Sequence, residues 1–138
     1  EDTVLADRAR ALKVLHQLRE AGVNVSVDDY GTGHSSLSYL RDLPISELKL
    51  DRSFLLGVPG DTHNAAIVRS TVELAHALNL PIVGEGVEDV EALSWLRGIG
   101  CDIGQGFHIC PPLPRHELRA WLQSSERADA LGYRSMSA

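Results

Sequence analysis

Segments with the two-residue period of a strand alternate with segments of helical period along almost the whole chain, and few folds accept that order. Asn24-Val25-Ser26-Val27-Asp28 reads as a strand, and Glu47-Leu48-Lys49-Leu50-Asp51 alternates strictly. Pro81 to Glu85 and Cys101 to Gln105 read as two more strands. Asp7 is placed to cap a first helix in which Ala11, Leu12, Leu15 and Leu18 share a face, with Gly22 just past its end. Ser35 and Ser36 open a short helical stretch through Tyr39 and Leu40 that Pro44 stops. Asp61 to Asn79 is the longest helix, with Ile67, Val68, Thr71, Ala75 and Leu78 at helical spacing. Glu88 to Arg97 follows, ended by Gly98 and Gly100, and Pro114 starts a last helix carrying Leu118, Trp121 and Leu122. Strands separated by helices pair in parallel through right-handed crossovers, so the predicted class is α/β. A closed (β/α)8 TIM-type barrel takes roughly 250 residues. The 138 residues here amount to half of one, or to a small open sheet. The folded unit is expected over 1–123, with a polar tail over 124–138.

Each predicted strand ends in a group with chemistry: Asp28, Asp51, Glu85 and Gln105. Side chains two apart share a strand face, so Lys49 and Asp51 point opposite to Leu48 and Leu50, and Asp28 points opposite to Val25 and Val27. One face packs on helices, and the other gathers polar groups at the carboxyl ends of the strands, where active sites of β/α barrels and open α/β sheets lie. Asp28 and Asp29 are adjacent carboxylates that raise each other's pKa unless something neutralises them. A divalent cation is the usual answer, since carboxylate oxygens are its natural ligands. Gly31 and Gly33 then permit a tight turn. Plain structural roles also exist for these residues. The Asp pair suits a solvated turn, Lys49 suits an ion pair with Asp51 or Glu47, and Glu88 suits the first turn of a helix.

The formal net charge of -6 gives no basic footprint for DNA and no polybasic patch for anionic lipid. No segment reads as a transmembrane span or a signal peptide. Cys101 and Cys110 do not make a disulfide framework, which favours a cytoplasmic setting. The chain opens Glu1-Asp2-Thr3 without a Met, as a part of a longer protein would.

Four segments together resemble one family. Asp28-Asp29-Tyr30-Gly31-Thr32-Gly33-His34-Ser35-Ser36-Leu37 is similar to the DDFGTGYSSL loop of EAL domains, which hydrolyse the bacterial second messenger cyclic di-GMP. Leu43-Pro44 through Glu47-Leu48-Lys49-Leu50-Asp51-Arg52-Ser53-Phe54 resembles LPxxELKIDRSF. Glu85-Gly86-Val87-Glu88 resembles EGVE, and Gln105-Gly106-Phe107 with Pro112-Leu113-Pro114 resembles QGY…PLP. The resemblance implies a metal-dependent phosphodiesterase that opens cyclic di-GMP to linear pGpG with two Mg²⁺ or Mn²⁺ ions. It implies that Asp28 bridges the two ions, that Asp29 binds the second, and that Glu85 is a metal ligand or general base. Lys49 would hold the attacking water, with Asp51 supporting it, and Gln105 would face the substrate. Glu1 and Glu88 would brace the site and the loop 28–37. The resemblance also implies that the signature Glu-Ala-Leu strand, a metal-ligand Asn and the first Glu of ELTE lie upstream of Glu1. This chain alone would then be inactive, completed by the missing half of the barrel or by a second copy in a homodimer. The alternative is a degenerate EAL module that binds cyclic di-GMP or a protein partner without catalysis.

Overall fold

A computed structural model describes residues 2–33 and 37–123. Helix α1, Asp2–Glu20, leads into strand β1, Ser26–Tyr30. Helix α2, Leu37–Asp42, precedes β2, Glu47–Leu50. A 3-10 helix, Arg52–Leu55, then leads to α3, Thr62–Ala77, and β3, Ile82–Glu85. Helix α4, Val90–Gly98, β4, Ile103–Gln105, and α5, Arg115–Gln123, complete the order. The four strands pair in parallel in the sequential order β1-β2-β3-β4, the α/β arrangement that the alternation predicts.

The core lies on one side of the sheet. Leu48, Leu50 and Ile82 point to that side and are fully buried against Val68, Val72 and Ala75 of α3 and Leu96 of α4. Burial of each large side chain contributes about 1.5–3 kcal/mol, so β2 and β3 are the best-anchored strands. The helices beneath them start at acidic caps. The Asp61 carboxylate accepts from the amides of His63 (2.9 Å) and Asn64 (3.1 Å), and that of Asp89 from Ala92 (2.7 Å).

Several expected boundaries move. α1 starts at Asp2 rather than at an Asp7 cap, because Thr3 to Ala6 hold no Gly or Pro and an interior Asp costs a helix under about 1 kcal/mol. Within its expected apolar face only Leu12 and Leu15 are partly covered, while Ala11 and Leu18 are exposed. β1 occupies 26–30 instead of 24–28, since pairing continues to Tyr30. In α3 the core is made by Val68, Thr71, Val72 and Ala75, and Ile67 is left 43% exposed. Asp89, not Glu88, caps α4, and α5 begins at Arg115, one residue past Pro114. The expected helix opening at Ser35 and Ser36, Glu1, and the tail 124–138 lie outside the described residues.

Candidate functional site

The site forms where β1, β2 and β3 end, and a bulge in β1 creates it. Val27 pairs with Leu48 and Tyr30 with Leu50, so Asp28 and Asp29 together oppose the single residue Lys49. Plain alternation would send two neighbouring side chains to opposite faces. Here Asp29 adopts φ 51°, in the left-handed region that Asp tolerates better than most residues. Both carboxylates consequently reach the side of the sheet away from the helices. Asp28, Asp29 and Glu85 each offer an oxygen, and these all lie within 4.8 Å of one another.

Lys49 holds this acidic group together. Its Nζ donates to Asp28 Oδ1 at 2.9 Å and also contacts Glu85 Oε1. The hydrogen bond to Glu85, then the one to Asp28, pushes the lysine well above its usual pKa. The hydrogen bond from Lys49 holds the Asp28 carboxyl below the usual carboxylate range. The structural pairing of Lys49 with Asp51 or Glu47 is therefore not what forms. Glu47 instead accepts from Ser26 Oγ at 2.7 Å. Asp51 caps the 3-10 helix, accepting from the amide of Ser53 at 3.0 Å and from the Ser53 hydroxyl. Those bonds, the hydroxyl's first, hold its carboxyl below the ordinary value. Asp51 thus fixes the turn that leaves β2.

Gln105 stands opposite Glu85 in the β3–β4 register and is exposed. It is brought to the same strand ends as Asp28, Lys49 and Glu85. Beyond the strands, Val87 N–H donates to Gln105 O at 3.0 Å and His108 N–H to Val87 O at 3.0 Å. That clasp requires Gly106, where a Cβ would overlap the backbone of Val87. Glu88 follows at the rim and lines an open cleft of about 300 Å³ with Leu56, Val58, Pro59, Gly86 and Glu91.

Away from the site, two contacts escape sequence reading. The Asp102 carboxylate accepts from Ile82 N–H at 2.9 Å and meets His76 Nε2 at 3.0 Å, tying α3, β3 and the start of β4. Burial pushes this carboxyl up, but the hydrogen bonds from Ile82 and His76 outweigh it and hold the group below its ordinary value. Cys101 and Cys110 are both free thiols, and burial pushes Cys101 up. No helix among the described residues is long and apolar enough to cross a membrane.

Known proteins are similar to this chain in sequence and fold. The bifunctional diguanylate cyclase/cyclic di-GMP phosphodiesterase MucR of Pseudomonas aeruginosa is 46% identical over 120 residues, 87% of this chain and 18% of the relative. The solved MucR phosphodiesterase in complex with c-di-GMP superposes with a TM-score of 0.77 at 46% identity, over 81% of this chain and 45% of that one. The calcium/c-di-GMP complex of Klebsiella pneumoniae BlrP1 gives a TM-score of 0.63 at 37% identity, covering 69% of this chain and 24% of that one. The chain therefore spans about a fifth of a curated relative's length and under half of each of these solved chains. The profile of the EAL domain matches residues 1–112, which carry the bulge, the lysine clasp and all the strand-end groups just described, so the chain belongs to the EAL domain family and represents part of a TIM-barrel-like EAL domain.

Proposed function

We propose that this chain is the carboxyl-terminal half of a phosphodiesterase domain, over 1–123, that hydrolyses cyclic di-GMP to linear pGpG. The observation that carries the reading is the meeting of Asp28, Asp29 and Glu85 around Lys49. Three carboxylates with convergent oxygens are a hard donor set that fits Mg²⁺ or Mn²⁺. Asp28, Asp29 and Glu85 would hold such ions through their carboxylate oxygens, with further ligands from the other half of the barrel. When bound, the ions supply neutralisation of charge at the phosphoryl group under attack.

The chain's own residues do the rest. Lys49 donates hydrogen bonds that orient the attacking water, and the ammonium keeps the opposing carboxylates from splaying. Glu85 takes the water's proton as the new phosphorus–oxygen bond forms. The opposite ester bond breaks, its oxygen leaves as a hydroxyl by taking a proton from solvent, and the ring opens to a linear dinucleotide. The Gln105 amide holds the substrate at the edge of the site. Asp51 fixes the turn after β2, and Glu88 and Glu1 brace the rim and the loop 28–37. The free thiols suit a reducing cytoplasm.

The test uses the intact protein with cyclic di-GMP and Mg²⁺ or Mn²⁺, following pGpG by chromatography. Asp28→Asn, Lys49→Ala and Glu85→Gln are each expected to lower turnover about a hundredfold or more while the circular dichroism spectrum stays unchanged. Near-wild-type turnover in Glu85→Gln would remove that residue from the mechanism. Tight binding without hydrolysis in the wild type would select the non-catalytic module instead. The 138 residues by themselves are expected to show no activity that Asp28→Asn abolishes.

A further inference from the structure

One charged group beside the carboxylates has no assigned task. Arg52 follows Asp51 at the end of β2 and opens the 3-10 helix. Its side chain is exposed, and among the described residues no ion pair or side-chain hydrogen bond engages its guanidinium. Its stem is nevertheless held in a defined place. Gly86, the residue after Glu85, has φ +77°, and a Cβ there would come 2.5 Å from Arg52 Cβ and 3.3 Å from Arg52 Cα. The glycine backbone lets the arginine stem lie against the end of β3, one residue past Glu85.

Lys49, the other cation at these strand ends, is already engaged by Asp28 and Glu85. Arg52 is free to meet an anion arriving from solvent. A guanidinium offers a planar fork of donors that matches two phosphate oxygens and keeps its charge at any working pH. A cyclic dinucleotide carries two phosphodiesters, and only one is opened at a time. We propose that Arg52 is a substrate-binding residue that grips a phosphate of the bound dinucleotide from the rim beside Glu85. This inference rests on the cyclic di-GMP reading above and names a contact that reading does not include.

Calorimetric titration of the intact protein with cyclic di-GMP, in Ca²⁺ and at several KCl concentrations, tests it. Arg52→Met keeps an unbranched stem over Gly86 and removes charge and donors. It is expected to weaken binding about tenfold to a hundredfold. Raising KCl should weaken wild-type binding more steeply than that of Arg52→Met, which has one screened charge contact fewer. Arg52→Lys should keep the slope and regain part of the affinity, since it restores charge without the fork. Wild-type affinity and slope in Arg52→Met would overturn the proposal. Weakened binding with an unchanged slope would overturn it too, assigning Arg52 to a guanine edge. Should Arg52→Met fail to fold, Arg52→Gln gives the same two readouts. A wild type that does not bind cyclic di-GMP sinks the parent reading and this one together, whereas wild-type binding with an unaltered Arg52→Met sinks this one alone.

Discussion

Lys49 donates to Asp28 and Glu85 at once, so it relieves their repulsion and also competes with any cation for the same oxygens. Those two effects predict opposite outcomes when its charge is removed. We expect Lys49→Met to bind Ca²⁺ at least as tightly as wild type, because a positive neighbour is gone, while turnover falls about a hundredfold. Calorimetry beside the turnover assay checks this. If cation binding collapses with activity, the lysine is only a strut. At this scale much of the site is legible in the sequence. The parity of β2 puts Lys49 opposite to Leu48 and Leu50, strand ends locate Glu85 and Gln105, and Asp28, expected at a strand end, lies two residues inside β1. The position of Asp29 is not legible, because alternation sends it to the helix side. Only the extra residue in the pairing, with its left-handed φ, brings it back.

The elements differ in how much their sequences specify. α3 is read to within two residues at its ends, since Asp61 is a strong cap, but its buried face takes in Val72 instead of Ile67, and α1, not α3, is the longest helix described. The 3-10 helix is missed, because four residues give no periodicity and its stability comes from Asp51 accepting from Ser53. The Asp102 bonds are equally invisible, as their partners are 20 and 26 residues away. Two predictions belong here. Gly106→Ala drives a methyl into the Val87 backbone and is expected to destabilise the fold by about 3 kcal/mol, read as a lower urea midpoint. Asp102→Asn should cost about 1 kcal/mol or less at pH 7, the group being partly exposed. The folded carboxyl lies below its ordinary 3.8, so its contribution is present above that pH and is lost as pH falls through the lower folded value. Melting curves of wild type and Asp102→Asn should differ near neutrality and converge in acid, once the folded carboxyl is protonated. A constant gap down to pH 2 would contradict the linkage.

On the scale of the molecule, β1 and β4 each have a neighbour on one side within the described sheet. Ile103, on the site side of β4, is 45% exposed, and Val23 before β1 is 46% exposed. Open edges with apolar rims invite pairing. Expressed alone, the 138-residue chain is expected to self-associate, and light scattering will show it. A monomer whose fast amide exchange is confined to loops would refute this. The sequence conveys the number of strands and their order, but not what lies against the outer two, because a strand's own period carries no mark of its edge partner. The bulge in β1 has a consequence of another kind, in the gene. Loss of the single codon for Asp29, in frame, restores plain alternation: Asp28 still opposes Lys49, and Tyr30 still pairs with Leu50. The sheet is expected to close over the gap, since Leu48 and Leu50 keep their partners Val27 and Tyr30. We expect the Asp29 deletion to remove one of the three convergent carboxylates while circular dichroism and the urea midpoint stay near wild type.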